Sequence, residues 1–414
     1  MKTKSIKTSW LHISDLHVFN EADTRFILED YEKLANVINP NFIIITGDFR
    51  HLKYKTNFNA TKKYLESIIK TFNVDKSDVF LIPGNHDTNT YENRRSYIDE
   101  ICQNSDKDYN LYSKFLEGKT SLYDAFSEYE CFVKDFYNNS KVNDERVYSP
   151  SKINCFLWNN MLNIVTINTA LISDGNEHKQ IIDINLLSKC TINNKKPTIL
   201  IGHHGIDSLF FSHAERLESF IDRRQVSAYL HGDIHKYANN PISKISVPNR
   251  TIPAIACGKS APQSGDSYSD IGVIYYEWHS DENVYIQAFK WFPRKGFIED
   301  PTYYYSINKK TSFPMLSEMN IGTDTHSDFV KYLEYLAHNQ QEVFMEGKWI
   351  EKAELFWSQY KTEIIGRSLL LYYYDKGRLG DLYSYNKSKQ FFCELEQIVP
   401  CEEKTKNMLN SIKF

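Results

Sequence analysis

Along the first ninety residues, apolar and polar positions group into blocks. "SWLHIS" (9–14), "NFIIITGD" (41–48) and "DVFLIPGNHD" (78–87) are short runs rich in β-branched and aromatic residues, each closed by polar ones. Between them, near 22–38 and 58–72, apolar residues recur at helical spacing. Buried strands separated by amphipathic helices predict βαβ units and a parallel sheet. The polar clusters follow the strand ends, where open α/β sheets build their sites.

Residues 91–150 break this rhythm. They are polar and aromatic, with helical stretches such as "LYDAFSEYECFVKDFY" (122–137), and read as an insertion over the strand ends. Packing decoration and a substrate-selecting lid are equally open readings. Strand signals return at "NCFLWN" (154–159), "NIVTINTA" (163–170), "TILIGHHG" (198–205) and "SAYLHGDIH" (227–235). A helix over 213–224 is expected to turn Leu217, Phe220 and Ile221 inward. "RTIPAIACG", "DIGVIYYEWH" and "NVYIQAFKWFP" then predict a second, more antiparallel sheet ending near 300. A domain is therefore expected over 1–305.

A stretch with two prolines, 300–326, reads as a linker. "SDFVKYLEYLAHN" (327–339) opens on a Ser-Asp cap and sets Phe329, Val330, Leu333 and Leu336 on one face. With the helical pattern of 348–374, this predicts a small all-α module at 326–414. No repeat of fixed period is present.

Composition narrows the classes. The 414 residues allow two or three domains, and 41% hydrophobic with 25% charged residues excludes a disordered chain. A formal net charge of -4 offers no global basic footprint for long duplex DNA. The 28 Tyr and 25 Phe read as packing. Seven dispersed cysteines without a C-x-x-C pair argue against a disulfide framework and suit a reducing cytoplasm. The N-terminus lacks the apolar core of a secretory signal, and no apolar run approaches the ~20 residues of a membrane span.

Five strand-end segments carry candidate chemistry: "DLH" (15–17), "GD" (47–48), "GNHD" (84–87), "GHH" (202–204) and "GDIH" (232–235). Carboxylate oxygens and imidazoles are the donor mixture that borderline divalent metals accept. One such fragment means little. Five in order, each after an apolar strand, point to a metal centre. Glycines at 47, 84, 202 and 232 let the backbone turn beside it.

This order of motifs resembles the calcineurin-like metallophosphoesterases, a superfamily that includes purple acid phosphatases and cyclic-nucleotide phosphodiesterases, over roughly residues 8–300. The resemblance implies a four-layer α/β/β/α sandwich with a two-metal site. Carried over, it gives the first metal Asp15, His17 and His235, the second Asn85 and His203, and Asp48 as the bridge. Paired cations ~3.5–4 Å apart clamp a phosphate and acidify a water. His86 is similar to the family's imidazole that meets substrate, with Asp87 orienting its ring.

One segment departs from the family's G-H-x-H. Here "LHGDIHKY" puts Asp233 where a histidine is expected, and His231 stands beside it as an alternative ligand or supporting group. A carboxylate there favours Mn²⁺, Fe or Mg²⁺ over Zn²⁺. Arg50, His204 and His231 are further candidates for substrate contact. The expected activity is hydrolysis of a phosphodiester. A nuclease acting on DNA or RNA and a metal-poor scaffold of the same fold are the alternatives. Residues 326–414 are a candidate surface for a protein partner or self-association.

Overall fold

A computed structural model describes residues 5–18, 21–51, 58–89, 92–104, 121–138, 154–174, 179–193, 195–234, 241–247, 250–261, 271–306, 333, 347, 349–378 and 381–398. Two compact units are present, 1–314 and 315–414.

The first unit is built on two six-stranded sheets. One holds β1 (Ile6–Ile13), β2 (Phe42–Ile45), β3 (Val79–Leu81), β10 (Gly272–His279), β11 (Asn283–Phe292) and β12 (Gly296–Ser306), in the order β12-β11-β10-β1-β2-β3. The other holds β4 (Asn154–Trp158), β5 (Leu162–Thr166), β6 (Thr198–Ile201), β7 (Val226–His231), β8 (Ile242–Val247) and β9 (Arg250–Ala256), in the order β4-β5-β6-β7-β9-β8. β1, β2 and β3 run parallel, as do β5, β6, β7 and β9. All four residues of β2 and of β6 are buried, as strands covered on both faces require.

The sheets meet through aromatic side chains. Trp158 packs on Phe42 at 4.8 Å between ring centroids and Phe156 on Phe80 at 5.5 Å, while Trp10 stacks between Phe42 and Tyr276. The helices of the first sheet are α1 (Glu21–Leu34) and α2 (Phe58–Thr71). α2 buries Phe58, Thr61, Tyr64, Leu65, Ile68 and Ile69, one stripe at helical spacing. The helices α6 (Ile184–Lys189) and α7 (Phe211–Arg223) serve the second sheet, and α7 buries Leu217, Phe220 and Ile221 as its pattern predicts, and His213 besides. The mixed α/β sandwich expected from the sequence is present, and the described residues of the insertion are mainly helical: α3 (Glu92–Asn104), α4 (Ser121–Asp124) and α5 (Ser127–Tyr137).

Three expectations need correction. The β-rich segments after residue 250 do not form a separate antiparallel sheet. β9 pairs parallel with β7 in the second sheet, and β10 pairs antiparallel with β1 in the first, so the segment completes both. The expected linker begins too early, because β12 extends to Ser306. Pro301 lacks an N–H, but an edge strand tolerates that loss. The third strand ends at Leu81, before Pro83, and Asn85–Asp87 forms a single 3₁₀ turn.

The described residues of the second unit are mainly helical. α8 (Ile350–Tyr360) and α9 (Glu363–Arg378) interrupt the expected run of 348–374 at Lys361, whose φ is 50°. α10 (Leu382–Glu396) follows, its first turn capped by Asp381. Of the helix expected over 327–339, Leu333 alone falls within the described residues, helical and buried.

Candidate metal centre

Asp15 follows β1, Asp48 follows β2, Asn85 follows β3, His203 follows β6 and Asp233 follows β7. Each sits just past the carboxyl end of a parallel strand, so five loops distant in sequence converge on one place. Asp15, His17, Asp48 and Asp233 have φ of 50°, 42°, 55° and 63°. This left-handed conformation costs a non-glycine residue ~1–2 kcal/mol, and such strain clusters at functional sites.

Asp48 is the hub. His17 Nε2 lies 3.5 Å and His86 Nε2 3.9 Å from its Oδ2, while His203 Nε2 lies 3.4 Å from its Oδ1. The His86 N–H also donates to Oδ1 at 2.8 Å. Three groups bring ligand atoms within 4.8 Å of one another: His17, Asp48 and His86; Asp15, Asp48 and His203; and His203, His204 and Asp233. His235 lies outside the described residues.

The electrostatics fit a cation. Burial pushes the Asp48 carboxyl up, but His203, His86 and His17 outweigh it and hold the group well below the usual carboxylate range. Burial raises Asp15 to about 7 and Asp233 to about 6, with the Asp48 charge adding to both. His203 Nδ1 donates to the Thr46 carbonyl at 2.5 Å, leaving Nε2 to face Asn85 Oδ1 at 2.7 Å, Asp48 Oδ1 at 3.4 Å and Asp233 Oδ1 at 3.9 Å. Burial works against charge on that ring, yet Asp48 raises its pKa well above normal. A proton on Nε2 thus stands where a cation would serve the same three oxygens. Asp48 Oδ2 is buried without a hydrogen-bond partner, which is costly unless a cation meets it.

The supporting groups were not legible in the sequence. Ser14 Oγ donates to Asp15 Oδ2 at 2.5 Å, and the Asp233 N–H donates to the same oxygen at 3.1 Å. Thr169 Oγ1 accepts from the N–H groups of His203 and His204. His51 places its ring 5.6 Å from that of His17 and 5.1 Å from that of His86. Only its place in "GDFRH" hinted at this.

Four of the candidate residues have polar groups engaged within the protein. Asp87 accepts from the N–H groups of Phe49 and Arg50 at Oδ1 and of Gly84 at Oδ2, at 3.0, 3.3 and 2.8 Å. Its carboxyl therefore staples the loop that carries His86. Arg50 is buried and directed at Glu128, Asn89 and Thr88, so its charge is used within the protein. His204 Nδ1 meets Thr169 Oγ1 at 3.1 Å and burial holds its pKa well below normal, while His231 stacks on Tyr229 with its pKa lowered by burial to about 4. Burial therefore disfavours positive charge on either ring.

Residues 9–237 match the family model for the calcineurin-like phosphoesterases, more than half of the chain. The chain belongs to that family. It is similar to the metallophosphoesterase-like protein YydB of Bacillus subtilis, with 28% identity over 249 residues, 57% of this chain and 50% of that one. A protein of Acanthamoeba polyphaga mimivirus is 25% identical over 158 residues, 36% of this chain and 12% of that one. The chain thus spans half or less of these relatives. Among solved structures, it is similar to the purple acid phosphatase PPD1 of yellow lupin, at 11% identity and a TM-score of 0.42, covering 75% of this chain and 54% of that one. It is also similar to vacuolar protein sorting 29 of Cryptosporidium parvum, at 9% identity and a TM-score of 0.34, covering 73% and 100%. Among the described residues, no helix is long and apolar enough to cross a membrane.

Proposed function

We propose that this protein is a phosphodiesterase dependent on two divalent cations. Asp15, His17 and His235 would hold the first, Asn85, His203 and Asp233 the second, with Asp48 shared between them. Carboxylate, amide and imidazole donors suit Mn²⁺, Fe or Mg²⁺ and accept Zn²⁺. Such a pair supplies Lewis acidity at the phosphoryl oxygens and acidifies the attacking water.

The observation that carries this reading is Asp48, a buried carboxylate ringed by three imidazoles with one oxygen left without a hydrogen-bond partner. His86 has the substrate-facing role. Its side chain keeps 20% exposure, whereas those of His17 and His203 are buried at 2% and 0%. A protonated His86 donates to the departing alkoxide or steadies charge on the phosphoryl group. An ester whose leaving group is an unactivated alkoxide gains most from that proton. Asp87 keeps the His86 loop in place, and Asp48 fixes its backbone through the 2.8 Å bond.

The test is hydrolysis of bis-p-nitrophenyl phosphate against p-nitrophenyl phosphate with added Mn²⁺. The diester is the better substrate. Asp48→Asn loses more than the ~100-fold typical of outer-shell changes. His86→Ala loses ~10²–10⁴-fold on a diester with an alkyl leaving group and less on bis-p-nitrophenyl phosphate, whose p-nitrophenolate leaves without a proton. An Asp48→Asn variant as fast as wild type overturns the mechanism, and a monoester preference overturns the assignment to diesters.

A further inference from the structure

The insertion and the metal centre are joined through a residue that the reaction does not otherwise use. Arg50 lies just past Asp48 and is 5% exposed. Its N–H donates to Asp87 Oδ1 at 3.3 Å, tying the loop after β2 to the loop after β3. Its guanidinium donates to Asn89 Oδ1 at 2.8 Å and to the Thr88 carbonyl at 3.4 Å, and pairs with Glu128 on α5. The same group lies over the Phe58 ring, 4.6 Å from its centroid. Asn89 repeats the connection: its N–H donates to the Ala125 carbonyl at 2.6 Å and its amide to Ser127 Oγ at 3.3 Å.

We propose that Arg50 is a positioning residue that clamps both loops to α5 and so sets Asn85 and His86 against Asp48. The planar guanidinium can hold Glu128 and Asn89 at once, in two directions, which a lysine ammonium on a flexible stem cannot. Burial leaves it no water as a substitute partner, so the clamp stays closed only while the insertion is in place. The insertion thereby becomes part of the machinery that orients the site. The kinetic consequence rests on the phosphodiesterase reading; the mechanical one does not.

The experiment follows Arg50→Met, Arg50→Lys and Glu128→Gln in the full chain. Hydrogen exchange is read on metal-free protein, and kcat and KM on bis-p-nitrophenyl phosphate with Mn²⁺. In Arg50→Met, the amides of Phe49, Gly84 and Asn89 exchange about 10-fold faster while β1 and β2 keep wild-type protection. Its kcat falls about 10-fold with KM within about 2-fold, the pattern of an outer-shell residue. Arg50→Lys recovers part of that loss. Glu128→Gln removes the charge of a half-exposed partner and changes both readouts by about 3-fold. If Arg50→Met does not fold, Glu128→Gln decides. Unchanged exchange at residues 84–89 overturns the proposal whatever the protein cuts. So does a loss of protection spread evenly over all strands, with kcat untouched. Loosened loops in a protein that cuts no diester leave this proposal standing and remove the proposed function instead.

Discussion

A methyl group at residue 84 has no room. A Cβ on Gly84 would lie 2.1 Å from Asp48 Oδ1 and 2.5 Å from the Asp48 nitrogen. The φ of Gly84 is −105°, an angle any residue adopts, so the demand is for space rather than conformation. Gly84→Ala is expected to fold, losing ~1–3 kcal/mol to overpacking, and to displace the Asp48 carboxylate. Elemental analysis after Mn²⁺ loading should give fewer ions per chain than wild type; an unchanged count would show that Asp48 can shift without consequence. The residue types at Asp15, His17, Asp48 and His203 were legible because their chemistry is. What Asp87, Arg50 and His204 do was not. A charged residue beside a ligand can face the cleft or the protein, and only the partners that reach it decide which.

The parallel strands and their helices were the best read elements. β2 and β6 are uninterrupted apolar runs, and α2 and α7 show clear helical stripes. The misread elements share one cause. β10 and β12 are set by long-range pairing, and strand propensity says nothing about which neighbour a strand will take. Pro301 and Pro83 carry similar local signals, yet one lies in an edge strand and the other follows the end of β3. The connection from α7 to β7 offers a local test. Gln225 there has a φ of 54°, is exposed, and follows a helix end where glycine is favoured. Gln225→Gly is expected to stabilise the first unit by ~0.5–1 kcal/mol, the balance of relieved left-handed strain against chain entropy. Urea unfolding measures it, and a lower midpoint for the variant would refute it.

Over the whole protein, acid stability should depend on His12. Its Nε2 meets Thr46 Oγ1 at 2.9 Å and its Nδ1 meets the Tyr276 hydroxyl at 3.3 Å, both inside the core. Burial lowers its pKa to about 3, with His231 adding to the shift. In the unfolded chain the ring titrates near ~6.5, so between those values the unfolded state holds the extra proton. Stability from this group therefore rises with pH up to ~6.5 and is flat above, with a slope of at most ~1.4 kcal/mol per unit. His12→Gln should flatten the dependence below ~6.5, and the two unfolding curves running parallel with pH would exclude the effect. Metal supplies a second global term. Mn²⁺ at about 100 times its dissociation constant should stabilise the wild type by ~2.7 kcal/mol, a gain that chelation reverses and Asp48→Asn lacks. Equal melting temperatures with and without Mn²⁺ would contradict it.

By itself, the sequence determined the alternation of strand and helix, the left-to-right order of the motifs and the kind of donor each contributes. These are local properties, written in apolar spacing and in residue chemistry, and they need no knowledge of what lies opposite. The tertiary structure decided which strands share a sheet, which side chains face the cleft, and that the insertion grips the loops after β2 and β3 through Arg50. Those depend on residues far apart in the chain, such as His12 and Tyr276, 264 positions apart, whose meeting is fixed by packing and by the left-handed turns that redirect the chain.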